Sequence, residues 1–573
     1  MKTHFSRISI LTATAAVVMG AGAMVWPAAQ AKESAPALSQ ETRATPLFEG
    51  MGTHSRKVTT TSADAQRYFD QGLTWAVAFN HDEAIRSFEQ AAKFDPDCAM
   101  SYWGIALCHG PHINNPVMNE PGSIAAWTAL QKARALADKA GPVERALIQA
   151  LASRYTDPAA GKFPLTAEER KPLDEAYAAA MKEVFAKHSA DADVASLYAE
   201  SLMDLHPWDL YDPVSHEARS WSAEIVKTIE HTLQLDSKHP SANHLYIHAV
   251  EASGSPERGV AAADVLRKLI PGSGHLVHMS SHIDVRTGRW AQAAEQNRQA
   301  SKIDTAYREI SPEQGIYRIY MAHNDHFLAW SCMMLGRKEE ARNAAHEMLR
   351  KIPPEFMQAA APFVDPLASI ELTTLMRFGL WDEILAQPKP ADFLPITGAM
   401  WRFARGSALA AQGKVPEALA EQVEFRKAVA ALPKEAMLQQ NPASAGLAIA
   451  DGTLAGEIAF RQGRIDDAVA ALTEAVKVED TLRYMEPPDW LQPARHSLGA
   501  ILLSAGRYAE AEQVYRADLK HWPENGWALY GLSQSLEGQK SPEATEVKAR
   551  FEKAWAQADT PITVTCLCVS TQK

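Results

Sequence analysis

The sequence predicts an all-α fold, an α-solenoid of stacked helical hairpins, several of them with insertions. Apolar residues recur with helical spacing through segments such as residues 130–155 and 172–188. No segment shows the alternating pattern of a β-sheet domain. Short turns punctuate the helices, and in most of them an alanine lies five positions after a glycine, which lets two helices approach closely. These turn glycines are Gly288, Gly336, Gly379, Gly413, Gly463 and Gly506.

The spacing of the turns indicates how the chain is divided. Successive turn glycines are 34 to 50 residues apart, so several hairpins carry inserted loops or extended helices. With 573 residues, 46% of them hydrophobic, the chain can bury a large core. The predicted segments are a signal peptide (1–31), an extended or loosely packed leader (32–62), N-terminal repeats (63–131), an irregular helical segment (132–239), histidine-bearing repeats (240–355), C-terminal repeats (356–560) and a tail (561–573).

The first hairpin carries the pattern of a known repeat. In YFDQGLTWAVAFNHDEAIRSFEQAAKFDPD, Gly72, Ala84, Phe88, Ala91 and Pro96 lie at offsets 0, 12, 16, 19 and 24. This pattern resembles the tetratricopeptide repeat (TPR), a helix-turn-helix unit of about 34 residues. The resemblance extends over most of residues 65–560. The chain as a whole resembles an exported bacterial member of that superfamily. The resemblance implies a right-handed superhelix, with the second, fifth and ninth residues of each first helix facing a ligand on the concave side.

The N-terminus predicts export. Lys2 and Arg7 precede an apolar run over residues 8–26, and Ala29-Gln30-Ala31 has the small residues of a cleavage site. No later stretch is long and apolar enough to span a bilayer. We therefore expect a periplasmic or secreted protein without a membrane span after signal cleavage.

Charge bears on the class of partner. The formal net charge is -12 and the pI is about 5.9, whereas nucleic-acid binding favours basic faces. The expected partners are a metal ion and a small-molecule substrate, with a protein partner on the repeat surface as a further possibility, and no nucleic acid.

Seven histidines occupy matching positions in three neighbouring repeats, which begin at Pro240, Gly274 and Ala322. At about 100° per residue, the histidines of the middle repeat fall within a stripe roughly 60° wide, and the first repeat adds a glutamate to a similar stripe. Stacking the repeats would bring these stripes together. The predicted metal ligands are His244, His248, Glu251, His275, His278, His282, His323 and His326.

Neutral imidazole is a good ligand for transition metals and a poor clamp for the carboxylates of an acidic peptide. Three imidazoles with an open position suit zinc, copper or non-haem iron, and two histidines with Glu251 resemble the facial arrangement of iron oxygenases. The favoured cofactor is copper or iron, with zinc possible. Either one crowded centre or two sparse ones fits the residue count.

Other polar residues offer weaker candidates. Glu200 and Asp204, four apart on one predicted helical face, are candidates for a general base or a further ligand. His112 falls in a loop that could give access to the site, and His81 is expected to serve packing. The segment from Glu486 to Trp490 is expected to be a rigid loop that Trp490 fixes to the core.

These residues predict a metal-dependent oxidoreductase acting on a small organic substrate. Two alternatives stay open, a protein-interaction scaffold in the periplasm, and a metal-storage protein or zinc-dependent hydrolase. Among the five cysteines, Cys98 with Cys108, or Cys566 with Cys568, could pair in an oxidising compartment, and the latter two could instead hold a metal as thiolates.

Overall fold

The computed structural model describes residues 45–160, 163–312 and 314–569, and these residues form a series of helical hairpins. The all-α prediction is confirmed, because the described residues contain 27 α-helices, with isolated β-bridges in place of strands. None of the described helices combines the length and the apolar character needed to cross a membrane. The predicted signal peptide, residues 1–31, lies outside the described residues.

The first hairpin shows how the repeat pattern fixes packing. Its helices and the one that follows are α1 (Ala63–Val77), α2 (His81–Phe94) and α3 (Ala99–Cys108). The ring of Phe88 in α2 lies between Gly72 in α1 and Gly104 in α3. A Cβ atom at either glycine would lie only 2.7 Å from that ring. The three helices can therefore pack this closely only because the two positions lack side chains.

The segment before the histidine-bearing repeats is held partly by buried charges. Its helices are α4 (Glu120–Ala135), α5 (Pro142–Leu151), α6 (Ala167–Lys187), α7 (Ala192–Met203) and α8 (Ser222–Leu235). The buried guanidinium of Arg154 pairs with Asp174 at 3.0 Å and with Asp204 at 2.6 Å. These ion pairs connect the end of α5 to α6 and α7.

The histidine-bearing repeats form the middle of the chain. Their helices are α9 (Pro240–Val250), α10 (Val260–Leu269), α11 (Gly274–His278), α12 (Ser280–Arg286), α13 (Trp290–Ile310), α14 (Tyr317–Met334) and α15 (Lys338–Arg350). Almost every side chain of α9, α11 and α12 is buried, which is unusual for helices that carry five histidines.

Shorter helices and then long hairpins complete the solenoid. They are α16 (Pro354–Ala359), α17 (Ala361–Ala368), α18 (Ile370–Arg377), α19 (Trp381–Ala386), α20 (Pro395–Ala411), α21 (Val415–Ala430), α22 (Ala443–Arg461), α23 (Ile465–Glu479), α24 (Ala494–Ser504), α25 (Tyr508–His521), α26 (Gly526–Gly538) and α27 (Ala544–Ala554). All six predicted turn glycines adopt positive φ, from 65° to 78°. They end one helix and start the next, as the sequence pattern predicts.

The C-terminal repeats pack back against the histidine-bearing ones. The indole N–H of Trp290 donates to the carbonyl of Pro523 at 2.8 Å, and that of Trp330 donates to Leu491 at 3.1 Å. Trp527 likewise donates to the carbonyl of Met333 at 2.9 Å. These contacts join repeats that are far apart in sequence, and they cover the histidine-bearing helices from one side.

Residues 45–62, the described part of the predicted leader, are extended and firmly packed. The backbone N–H of Phe48 donates to Gln71 at 2.7 Å. The buried side chain of Arg56 pairs with Asp191 at 2.9 Å and with Asp193 at 3.0 Å. Polar anchors hold this segment, so its lack of apolar periodicity gave no sign of the packing.

The cysteine alternatives are resolved. Cys566 and Cys568 form a disulfide, whereas Cys98, Cys108 and Cys332 are free and buried. The alternative pairing of Cys98 with Cys108 is therefore wrong. Both lie on the buried side of the N-terminal repeats and belong to its apolar core.

Candidate metal centre

Six of the seven predicted histidines lie together inside the protein, and we call them the imidazole cluster: His244, His248, His275, His278, His282 and His323. Helix α9 supplies the first two, α11 and α12 the next three, and α14 the last. Neighbouring ring centroids are 4.8 to 5.9 Å apart along the chain of contacts. Five of the six side chains are buried and His323 is partly buried.

The Nδ1 atoms of three cluster rings each face an oxygen acceptor. His244 Nδ1 lies 2.8 Å from the carbonyl of Val77, and His248 Nδ1 lies 2.9 Å from a Glu251 carboxylate oxygen. His278 Nδ1 lies 2.7 Å from Asn297 Oδ1. An oxygen without hydrogens can only accept, so each Nδ1 carries the proton and the Nε2 lone pair of the neutral ring is left free.

The orientation of Asn297 supports this assignment for His278. Its amide nitrogen donates to the hydroxyl of Ser281 at 2.7 Å and to the carbonyl of Ala293 at 2.8 Å. Two acceptors fix the amide nitrogen, so the oxygen must face the imidazole. His278 therefore presents its Nε2 to the cluster interior.

His282 occupies the most charged position. Its Nδ1 lies 2.6 Å from Glu251 and 2.5 Å from Glu486, and its Nε2 lies 2.9 Å from Nε2 of His278. Burial disfavours the imidazolium, but the carboxylates of Glu486 and Glu251 outweigh that cost and raise the pKa of His282. The imidazoles of His282 and His248 hold the pKa of Glu251 well below its usual range despite its burial.

Four of the other rings are held neutral. Burial, reinforced by neighbouring imidazoles, moves the pKa of His244, His275 and His323 well below the ordinary value. Burial also lowers the pKa of His278. At neutral pH these side chains are therefore uncharged nitrogen donors, which is the form that binds a metal ion.

The distances suit a common ion. One nitrogen each from His278, His282 and His323 lies within 4.8 Å of the other two, and these atoms form one candidate donor set. Ligand nitrogens about 2.1 Å from one ion can be at most ~4.2 Å apart, so small side-chain movements would complete the set. Among the described residues, His244 Nε2 and His248 Nε2 are buried without a hydrogen-bond partner, which also fits nitrogen ligands.

Glu251 has a different place from the one its spacing predicts. It belongs to a second group of possible ligands with His248 and His282. Its two oxygens, however, accept from the Nδ1 atoms of those same rings. Glu251 is therefore positioned to orient two imidazoles from behind, rather than to bind the same ion beside them.

The comparison with known proteins concerns the repeats. Residues 494–544, which span α24, α25 and most of α26, match the family model described as a tetratricopeptide repeat. These residues therefore belong to the tetratricopeptide-repeat family. The resemblance inferred from the sequence is thereby confirmed. No curated protein matches the chain in sequence.

Solved structures of similar helical-repeat proteins are distant. A human IFIT1 dimer with m7Gppp-AAAA is 12% identical, with a TM-score of 0.32, over 87% of this chain and 91% of that one. Yeast Tom70 is 12% identical, with a TM-score of 0.28, over 86% of this chain and 93% of that one. At these scores the similarity carries no conclusion about what this protein binds.

Two predicted site residues of the repeat protein lie apart from the imidazole cluster. Asp204 caps α7 and is paired with Arg154, and Glu200 lies one turn before it. Both line a cavity whose walls also include His54 and Asp193. Burial raises the pKa of both carboxyl groups. The structure does not bring Glu200 and Asp204 together with the predicted ligands.

His326 is also separated from the cluster. It lies one turn after His323 on α14 and lines a different cavity, toward the C-terminal repeats. Burial alone lowers its pKa to about 4.

His112 approaches the cluster indirectly, because the ring of Phe79 lies 4.8 Å from His112 and 4.7 Å from His244.

Sequence reasoning missed Glu486. It predicted that Trp490 fixes this loop to the core, and Trp490 is indeed buried there. The loop also delivers the buried carboxylate of Glu486 to His282, across more than 200 residues of sequence. An acidic residue directly before two prolines, in an insertion between repeats, was the available signal. Helical periodicity cannot reveal such a contact, because the residue lies outside any helix.

A cavity opens onto the imidazole cluster. His248 and Glu251 form part of its wall, together with the aromatic side chains of Trp208, Tyr211 and Tyr484. It encloses about 650 Å³ of empty space, counted out to its mouth. A small organic molecule in this cavity would lie beside the cluster.

Proposed function

We propose that this tetratricopeptide-repeat protein binds transition-metal ions at the imidazole cluster and uses them to oxidise a small organic substrate. The observation that carries the proposal is the set of Nδ1 contacts. Oxygen acceptors bind Nδ1 of His244, His248 and His278, and Nε2 of each ring is left toward the interior. Metal-binding histidines usually have this arrangement.

The donor atoms bear on the choice of metal. His278, His282 and His323 would hold one ion through nitrogen, and His244, His248 and His275 offer nitrogens for a second. An all-imidazole set suits copper, iron or zinc. We favour copper or iron because a bound redox metal would supply electron transfer beside the cavity lined by His248. Glu251, Glu486 and Asn297 would orient the ligands.

The first test is metal content. Protein purified without chelators and measured by mass spectrometry should contain copper or iron in a fixed ratio to the chain. The variants His278→Ala and His282→Ala should each lose most of it. His346→Ala provides the control, because His346 is exposed on α15 and its imidazole pairs with Glu371. Unchanged metal in the first two variants, with folding intact, would contradict the site.

The second test separates an enzyme from a storage protein. Oxygen uptake in the presence of phenols or aldehydes, dependent on the bound metal and lost in His278→Ala, would support turnover. Metal that binds stoichiometrically but supports no oxidation of any such compound would favour storage. Bound zinc with hydrolytic activity would favour the hydrolase alternative.

A protein-interaction scaffold is the second candidate. The repeat family itself supports it, and Leu419 and Val423 on α21 lie one turn apart with 41% and 51% of their surfaces exposed. Folded protein that takes up no copper, iron or zinc would favour this reading. Binding to a protein partner should then weaken when Leu419 is replaced by glutamate.

The proposal places the mature protein outside the cytoplasm. It rests on the basic, apolar and small-residue segments of the first 31 residues. Fractionation followed by N-terminal sequencing should find a chain that begins at Lys32 in the periplasm or the medium. The acidic net charge supports partners other than nucleic acid, and a filter-binding assay with RNA at low salt tests that expectation.

A further inference from the structure

A separate cavity lies among the C-terminal repeats, between α17, α18, α20, α22 and the loop that precedes α24. It encloses about 880 Å³ of empty space, counted out to its mouth. Its walls include His326 but none of the imidazole cluster. Its interpretation therefore does not depend on the proposed metal centre.

Four buried polar atoms on its walls have no hydrogen-bond partner among the described residues: His326 Nδ1, Thr453 Oγ1, Glu457 Oε2 and Trp490 Nε1. Each of the four side chains is more than nine-tenths buried. An unsatisfied buried polar group costs about 1–3 kcal/mol, and native proteins contain few of them. Four such atoms on the wall of one cavity indicate that something within the cavity satisfies them.

The charges on the walls disfavour an anion. No lysine or arginine lines the cavity, whereas Glu457 and Asp489 do. Asp489 already accepts from the amide of Asn441 at 2.7 Å. Of these two carboxyl groups, Glu457 is therefore the one with an oxygen, Oε2, that has no donor among the described residues. Arg461, one turn further along α22, donates to the carbonyl of Cys568 at 2.6 Å and lies close enough to Glu457 to lower the pKa of its carboxyl group.

Burial raises the pKa of Glu457 to about 7, and the side chain of Ser407 and the nearby Arg461 only partly oppose this. The carboxyl group therefore titrates near neutral pH. A cation beside it would favour the ionised form and gain a charge-assisted hydrogen bond.

The remaining walls suit an organic body. The rings of Phe403 and Trp490 lie 5.7 Å apart, centroid to centroid. Met376, Met400 and Leu447 add flexible and apolar surface. Aromatic faces and methionine sulfur accommodate apolar and cationic organic groups. The indole N–H of Trp490 can only donate, so the occupant needs an acceptor oxygen as well.

We propose that this cavity binds a small organic amine that also carries a hydroxyl or carbonyl oxygen. Its ammonium group would lie against Glu457 and its body against Phe403 and Trp490. Thr453 and Trp490 would hydrogen-bond to its polar groups.

Isothermal titration calorimetry at pH 7.5 with three probes of one shape tests the proposal. Tyramine carries an ammonium group, tyrosol replaces it with a hydroxyl, and 3-(4-hydroxyphenyl)propionate replaces it with a carboxylate. Tyramine should bind at least tenfold more tightly than tyrosol, and the propionate should not bind. Absence of tyramine binding to the folded protein, or equal binding of the three probes, would overturn the proposal.

Variants locate the binding. Glu457→Gln keeps the shape and should remove the preference for tyramine over tyrosol, while Glu417→Gln, at an exposed position on α21, should leave it unchanged. Thr453→Val should weaken the binding of both tyramine and tyrosol. It gives a second measurement if Glu457→Gln does not fold. His278→Ala should bind tyramine normally. Loss of binding in His278→Ala, or an intact preference in Glu457→Gln, would place the probe elsewhere and refute the proposal.

Discussion

The Nε2 atoms of His278 and His282 lie 2.9 Å apart in the protein interior, while Nδ1 of each ring faces an oxygen acceptor. If both rings were neutral, two nitrogen lone pairs would point at each other at this distance. A proton or a metal ion between them removes that repulsion. Without a metal, the carboxylates behind His282 favour a proton there, and this is the position that the proposed ion would take.

Removing the acceptor behind His278 should weaken metal binding. Asn297→Leu preserves size but no longer holds the Nδ1 proton, so we expect the metal affinity to fall about 10–100-fold. Competition with a chromophoric chelator measures the change. Asn243→Leu is the matched control, because Asn243 is a buried asparagine on α9 that bonds only to backbone carbonyls. Equal losses of affinity in the two variants would indicate a general effect on folding.

The loop carboxylate should act through His282. Glu486→Gln retains the shape of the side chain but removes the negative charge that lies 2.5 Å from His282 Nδ1. The imidazole then becomes a weaker ligand, and we expect metal affinity to fall about tenfold or more. Chelator competition measures this, with the exposed Glu435→Gln as the control. An unchanged affinity would assign Glu486 a purely structural role.

The sequence predicted the repeats better than the contacts between them. Positions such as Gly72 and Phe88 are local features, and their spacing alone predicts a helical hairpin. The histidine register also follows from helix geometry, which is why six of the seven rings lie together. Glu486 comes from a loop more than 200 residues away from His282, and only the packing of the C-terminal repeats brings it there. Asp204 was predicted as a site residue, but the structure pairs it with Arg154, away from the imidazole cluster. Helical spacing could not reveal that partner.

Two glycines of the matched repeat should respond differently to alanine. At Gly506, φ is 72° and a Cβ would meet nothing within 4 Å, so only backbone strain of about 1–2 kcal/mol is expected. At Gly499, the Cβ would lie 2.3 Å from the ring of the buried Tyr515. Overpacking of this kind costs about 1–3 kcal/mol, occasionally more, so Gly499→Ala should be the more destabilising change. Urea unfolding of both variants gives the comparison, and the opposite order would contradict the packing of α24 on α25.

Asp304 should make the protein less stable as pH rises. Burial is the main cause that raises its pKa to about 7, although Asn324 donates to it at 2.7 Å. The pKa of the unfolded side chain is close to its ordinary value of 3.8. Between these two pKa values the folded state keeps a proton that the unfolded state has lost, so the free energy of unfolding decreases with rising pH, by up to about 1.4 kcal/mol per pH unit.

Replacing Asp304 with asparagine should remove that contribution, because the amide does not titrate and its oxygen can still accept from Asn324. Urea unfolding at pH 4.5, 6 and 7.5 should therefore show a shallower decrease in stability for Asp304→Asn than for the native chain. Glu309→Gln, at an exposed position of the same helix, should leave the slope unchanged. Other buried carboxyl groups with raised pKa values, such as Glu479, remain in the variant, so the slope should shrink rather than vanish. A slope equal to that of the native chain would mean that Asp304 is ionised in the folded protein throughout this range.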